Sequence, residues 1–120
     1  MVNNISDLLE YQSKKIPLNS YLNDFNKSYS FQDFNSLVNK CCNLFQNLKL
    51  NKGDVISICL YNKVEFLILY FSCIRFGAIF YLISTNDSEI DIMKKLNFVN
   101  SKIIFIDNEN SYKQIKKKTN

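Results

Sequence analysis

The stretch from Asn51 to Ile83 reads NKGDVISICLYNKVEFLILYFSCIRFGAIFYLI and decides the fold. It opens with a polar turn in which Gly53 is free to adopt positive φ. Val55–Leu60 follows as an apolar run without clean alternation, which is typical of a strand buried on both faces. Ile79–Ile83 is a second apolar run rich in β-formers. We therefore predict two buried strands joined by a helix that ends at Gly77.

Three helices are predicted from a shared start signal, in which Ser or Asn is followed three residues later by an acidic residue. The pairs are Ser30 with Asp33, Asn62 with Glu65, and Ser88 with Asp91. The helices that they begin run over Phe31–Leu48, from Asn62 to about Phe76, and from Glu89 to about Val99. With Ile103–Ile106 as a last short buried strand, helices alternate with strands. This order predicts an α/β fold with a parallel sheet and right-handed crossovers.

The residues on either side of this core give weaker signals. A lead-in helix is predicted over Asn4–Lys15 and ends at Pro17. Its stripe consists of Ile5, Leu8, Leu9, Gln12 and Ile16. Tyr21–Asp24 and Lys27–Ser30 predict a short hairpin around Asn26, and Ser111–Lys118 a frayed helix. We expect one unit over 1–120, divided into a lead-in (1–30), an α/β core (31–107) and a basic tail (108–120).

Composition and charge limit the possible partners. The chain has 120 residues, 47% hydrophobic and 22% charged, which suits one globular domain or a piece of one. The net charge of +4 comes from lysine, with Arg75 as the only arginine. The only cluster of basic residues in the sequence consists of Lys113, Lys116, Lys117 and Lys118. We interpret this cluster as a solvated chain end and therefore expect no nucleic-acid partner. Contact of these lysines with phosphate or acidic lipid is the alternative.

The chain has four cysteines and no histidine. The cysteines are Cys41, Cys42, Cys59 and Cys73, and none forms a C-x-x-C pair. The usual zinc spacings and Ser-His-Asp or Cys-His catalysis are therefore excluded. We interpret all four thiols as small buried or half-buried side chains of a protein in a reducing cytosol.

A membrane span is the alternative for Phe66–Ile83, which holds a single charge, Arg75. Its length is at the lower limit for a spanning helix. An arginine near the bilayer centre costs about 2.5–3.5 kcal/mol on insertion scales, and Gly77 divides the segment. The first ten residues lack the basic start and apolar run of a secretory signal. We therefore predict neither a span nor a signal, and a cytoplasmic protein.

Ordered pieces of this sequence resemble the opening of the acyl-adenylate-forming (AMP-binding) enzymes, which include acyl-CoA synthetases, adenylation domains of peptide synthetases and luciferases. Ser30–Phe34 stands where the family has Thr-Tyr-x-Glu-Leu, and Leu50–Ile56 resembles its turn into a buried strand. Asn62, Glu65 and Phe66 match its Asn-x-x-Glu-Phe helix start. Ile74–Phe80 resembles its Leu-Lys-Ala-Gly-Ala-x-Tyr motif. The resemblance covers nearly the whole chain.

The chain also departs from the family pattern. Leu82–Thr85 lacks both prolines of the family's Pro-Leu-Asn-Pro segment, which suggests a looser loop. By the resemblance, the phosphate-binding loop, the adenine and aspartate motifs and the adenylation lysine lie beyond residue 120. Gly53 and Gly77 are isolated glycines and cannot form such a loop. We therefore predict no catalytic, cofactor-binding or metal residue. The carboxylates Asp87, Glu89 and Asp91 are expected only to complement a helix dipole.

The resemblance implies the N-terminal portion of an AMP-dependent synthetase or ligase that is inactive alone. The complete enzyme would use ATP, Mg²⁺ and a thiol of coenzyme A or pantetheine. The implied partners are the rest of the ligase, or a second copy through an exposed sheet face. The alternative is a stand-alone α/β protein-interaction module without enzymatic role. A small membrane protein using Phe66–Ile83 is a third hypothesis.

Overall fold

The computed structural model describes residues 4–15, 20–24, 27–61 and 64–106. These residues form four helices and five strands in the order α1, β1, β2, α2, β3, α3, β4, α4, β5. Their bounds are α1 Ile5–Lys15, β1 Ser20–Asp24, β2 Lys27–Ser30, α2 Phe31–Asn47, β3 Val55–Cys59, α3 Val64–Phe76, β4 Ile79–Leu82, α4 Glu89–Phe98 and β5 Ile103–Ile106. The predicted α/β fold is confirmed.

The strands form two separate sheets. β1 and β2 pair antiparallel as the predicted hairpin, with an irregularity in register between Ser20 and Leu22. The other sheet has the order β4-β3-β5, and both of its pairings are parallel. Ile56 of β3 stands opposite Phe80 of β4 and Ile103 of β5. A helix connects each parallel strand to the next, as parallel pairing requires.

The parallel sheet lies between two layers of helices. On one face, Ile56 and Ile58 pack with Phe45 of α2 and Leu69 of α3. The ring of Phe45 lies 5.5 Å from that of Phe76 and 6.1 Å from that of Phe105, measured between centroids. On the other face, a second cluster joins the sheet to α4 through Cys59, Ile83, Ile92 and Leu96. β3 is therefore buried on both faces, as predicted.

The outer strands are less buried than predicted. In β4, Ile79 is 52% exposed and Leu82 is 55% exposed, and all four residues of β5 are only partly buried. Within the described chain each of these strands pairs on one side only. The prediction that both would be buried strands was wrong for that reason. Within the described residues helices cover both faces of the parallel sheet, so the exposed part is an edge and not the expected face.

The lead-in helix turns a different face to the core from the one its apolar stripe indicated. Ser6, Leu9 and Ser13 are buried, whereas Ile5 and Leu8 stay 47% and 45% exposed. Leu9 packs with residues of α2 and α3 in a third apolar cluster. Serines on the buried face are the part of this packing that hydrophobic periodicity could not indicate.

Both serine caps are present. Ser30 Oγ accepts a hydrogen bond from the Asp33 amide at 3.0 Å, and Ser88 Oγ accepts one from the Asp91 amide at 3.2 Å. Each satisfies an amide that has no partner within its helix. The predicted Asn62 cap lies outside the described residues, and Glu65 occupies the first turn of α3.

Several predictions fall on residues that the structure does not describe. They are the helix stop at Pro17, the turn at Asn26, and the helix and basic tail after residue 107. The candidate span Phe66–Ile83 divides between α3 and β4. Among the described helices, none combines the length and the apolar character needed to cross a bilayer.

Candidate functional site

An open cleft of about 600 Å³ lies at the carboxyl ends of β3 and β4. Its apolar wall comes from Leu60, which follows β3, from Phe66 of α3 and from Leu82 of β4. The residues after β4 and Lys95 of α4 supply the polar wall. The full lining is Leu60, Phe66, Leu82, Ile83, Ser84, Thr85 and Lys95. None of these residues was selected from the sequence as a site residue.

The loop from β4 to α4 is held by hydrogen bonds where the family pattern has prolines. The Ile83 amide donates to the Ile58 carbonyl at 2.9 Å, which extends the sheet pairing by one residue. The Cys59 thiol donates to the Ser84 carbonyl at 3.6 Å. Ser84 Oγ accepts from the Asn86 amide at 3.1 Å, and its carbonyl accepts from the Asp87 amide at 3.1 Å. The looser loop that the missing prolines suggested stays a prediction.

Asp87 differs from the other two carboxylates near the start of α4. Glu89 and Asp91 lie in the first turn, where a negative charge complements the helix dipole, as predicted. Asp87 instead accepts a hydrogen bond from the ammonium of Lys95, and this bond raises the pKa of Lys95. The pair connects the loop to the last turn of α4. Sequence spacing did not indicate this pair, because the two residues are eight positions apart, whereas side chains that meet on one helix are three or four apart.

At the opposite end of the sheet the structure brings the two glycines together. The Gly53 amide donates to the Gly77 carbonyl at 2.9 Å. Both residues have positive φ, +89° and +88°, in keeping with the predicted turn and helix stop. A Cβ at Gly77 would lie 2.8 Å from Lys52 Cγ. The glycines therefore form a structural contact at the amino ends of the strands, away from the cleft.

The four thiols are free and lie where the sequence predicted. Cys59 and Cys73 are buried, and Cys41 and Cys42 are half-buried. Burial, together with the nearby Cys41 and Cys42 thiols, raises the pKa of Cys73 to about 12. Burial also raises the pKa of Cys41 and of Cys42. Because the thiolate is the nucleophile, the raised pKa values make Cys41, Cys42 and Cys73 poorly suited to nucleophilic catalysis.

Arg75 of α3 joins three helices. Its Nε donates to Ser6 Oγ at 2.7 Å, and its Nη2 donates to the Ser6 carbonyl at 3.1 Å. Its Nη1 donates to Asn39 Oδ1 of α2 at 2.9 Å. The planar guanidinium presents several donors in fixed directions, which suits this set of acceptors. Arg75 therefore explains why a serine occupies the buried face of α1.

Within the described ranges, no group of three or more His, Cys, Asp or Glu side chains could hold a metal ion. The described residues thus provide a scaffold, a polar-lined cleft and buried thiols. The prediction of no catalytic, cofactor-binding or metal residue stays a prediction for the chain as a whole.

A family model described as "AMP-binding enzyme" matches residues 9–120. The chain therefore belongs to the AMP-binding enzyme family, and the resemblance to the acyl-adenylate-forming enzymes is confirmed. One curated relative is the crotonobetaine/carnitine–CoA ligase of Escherichia fergusonii. The two sequences are 37% identical over 51 residues, which are 42% of this chain and 10% of the ligase.

Solved structures show the same fold. The N-terminal subdomain of Klebsiella oxytoca NpsA is 18% identical with a TM-score of 0.80, and the match covers 90% of this chain and 28% of that one. The N-terminal domain of Mycobacterium tuberculosis FACL13 is 23% identical with a TM-score of 0.81, covering 86% and 26%. The chain thus spans about a tenth of the curated ligase and less than a third of each of these structures.

Proposed function

We propose that this chain is the N-terminal portion of an AMP-dependent synthetase or ligase and is inactive alone. The observation that carries the proposal is the family match over residues 9–120 together with the fold of the two N-terminal domains. The whole enzyme would join a carboxylic acid to ATP, release pyrophosphate and pass the acyl group to a thiol. ATP, Mg²⁺ and coenzyme A or pantetheine would be bound by segments other than this one.

The role of this segment is architectural. Its described polar contacts hold helices to one another and loops to the sheet. The Gly53–Gly77 contact and the Arg75–Ser6 contacts are of this kind. The free cysteines support the cytoplasmic location that we propose with this function.

The rest of the ligase is the proposed partner, and the outer strands are its proposed contact. Ile79 and Leu82 of β4 are more than half exposed. An edge strand with apolar side chains favours pairing or packing with another segment. The same exposure favours self-association of the chain when that partner is absent.

ATP–pyrophosphate exchange tests this proposal. We expect no exchange from the purified chain, with a complete adenylate-forming ligase as positive control. Exchange should appear when a polypeptide encoded downstream, beginning with the phosphate-binding loop, is added. Activity of the chain alone would contradict the proposal. A monodisperse, cooperatively melting monomer that binds no hydrophobic dye would favour the stand-alone module.

A further inference from the structure

Helix α1 turns one face to the core and leaves a second, apolar face in solvent. The exposed fractions of Ile5, Leu8 and Tyr11 are 47%, 45% and 51%. These residues follow one another at intervals of three, so their side chains lie next to one another along one side of the helix. Apolar side chains scattered singly over a surface are ordinary, whereas a continuous apolar patch on one short helix marks an interaction site.

A groove of about 270 Å³ adjoins this patch. Ile5 and Leu8 form one wall of the groove, and Phe31 of α2 and Phe71 of α3 contribute to the other. Among the described lining residues only Gln12 has a polar side chain. The groove is therefore suited to an apolar or aromatic side chain from another molecule and not to an ion.

The charges along α1 indicate which partner fits the patch. Asp7 lies in the first turn of the helix, whereas Lys14 and Lys15 lie in the last turn. Asp7 and Lys14 are seven residues apart and so lie on the same side of the helix. Two copies of this helix packed antiparallel place the acidic end of each beside the basic end of the other, so the patch is complementary to itself. The contact of Lys14 Nζ with Glu10 Oε1 is long, 4.0 Å, and solvent-exposed, so its exchange costs little.

We propose that α1 is the contact between two copies of this chain, which pair antiparallel about a twofold axis near the middle of the helix. Leu8 of each copy packs against Tyr11 of the other, and the ring of Tyr11 covers the groove of the other copy. Asp7 and Lys14 form two symmetric ion pairs at the rim, which fix the register. Because a single short helix forms a small interface, the dimer is weak and reversible. The proposal does not depend on the ligase assignment.

Sedimentation velocity of the 120-residue chain across a dilution series measures the association. We expect a reversible equilibrium between monomer and dimer. Leu8→Ser should weaken dimerisation about tenfold, because each dimer loses two apolar contacts. Leu44→Ser on α2 removes a leucine of nearly the same exposure, 44%, and should leave dimerisation unchanged. Leu82→Ser on β4 should also leave it unchanged, which separates α1 pairing from pairing of sheet edges. A monomer at every concentration, or unchanged dimerisation of Leu8→Ser, would overturn the proposal.

A charge exchange tests the antiparallel register. In a dimer of Asp7→Lys both rim contacts join two lysines, and in a dimer of Lys14→Glu both join two acids. Each variant alone should therefore dimerise about threefold to tenfold more weakly than the natural chain. Lys94→Glu makes the same charge change at an exposed lysine of α4 and should have no effect.

Mixing the two variants restores opposite charges at both rim contacts. An equimolar mixture of Asp7→Lys and Lys14→Glu should therefore form a heterodimer that is about threefold to tenfold tighter than either homodimer. This gain cannot arise from unfolding of α1. Single variants that dimerise like the natural chain, or a mixture that dimerises no better than its components, would contradict the assignment.

Discussion

Replacement of Arg75 tests the contact that joins α1 to the core. Arg75→Met keeps an unbranched apolar stem but removes three hydrogen bonds. The hydrogen bond from Arg75 to Asn39 is exposed to solvent and contributes little to stability. Ser6, in contrast, is only 1% exposed, and in the variant its hydroxyl loses the hydrogen bond from Arg75. Because an unpaired buried polar group costs about 1–3 kcal/mol, we expect Arg75→Met to lower the free energy of unfolding by about 2–3 kcal/mol.

A double-mutant cycle isolates the pair. Ser6→Ala should cost about 1–2 kcal/mol, and the double variant less than the sum of the single ones by about 1 kcal/mol. Arg75→Lys should not rescue stability, since one ammonium cannot reach both acceptors of Ser6 in the fork geometry of a guanidinium. Asn39→Ala is the control and should change stability by less than about 0.5 kcal/mol.

Urea unfolding followed by far-UV circular dichroism measures these values, provided that the transition is two-state. Additive costs within about 0.3 kcal/mol would refute the reasoning, because they would show that Arg75 and Ser6 do not interact. A stable Arg75→Lys variant would refute it equally.

Three further predictions concern the turn, the thiols and the core. Gly77→Ala should cost about 2–3 kcal/mol in urea unfolding, because φ is +88° and the new Cβ would lie against Lys52. Gly53→Ala, which has the same backbone strain but open space around it, should cost only about 1 kcal/mol, and equal costs would contradict the steric argument. Folding raises the pKa of Cys73 from 9.0 to about 12, so the contribution of this thiol to stability should be complete below pH 9 and be lost as the pH rises towards 12. Alkylation of Cys73 by iodoacetamide at pH 8 should be slower in the folded than in the urea-unfolded chain. Equal rates would show that the folded chain has an accessible thiolate. Phe45→Ala should cost about 3–5 kcal/mol, because the ring is fully buried between Phe76 and Phe105; a cost below about 1 kcal/mol in thermal or urea unfolding would place the ring outside the core.

The sequence predicted those features of the fold that depend on local chemistry. Ser30 and Ser88 could be predicted as caps because each hydroxyl accepts a hydrogen bond from an amide only three residues further along the chain, and a short sequence pattern shows both residues. The continuous apolar run of β3 indicated burial on both faces, and the structure has it. Such signals need no knowledge of distant neighbours.

Features that depend on distant neighbours were not predictable from the same reading. The buried face of α1 depends on Arg75, which lies 69 residues further along the chain. Arg75 donates a hydrogen bond to Ser6, so the face that carries Ser6 is turned to the core in place of the predicted apolar stripe. The exposure of Ile79 and Leu82 follows from the position of β4 in the sheet, which an apolar run does not encode. For the same reason the cleft was not predicted, since its lining comes from four separate stretches of chain.

The parallel pairing of β3 with both neighbours is the central claim, because the family fold and the cleft depend on it. Cross-strand nuclear Overhauser effects in the isotope-labelled chain test it most directly. We expect amide and Hα contacts that place Ile56 opposite both Phe80 and Ile103, with pairing that advances in the same direction along each strand. Contacts that run in opposite directions along β3 and either neighbour would contradict the account.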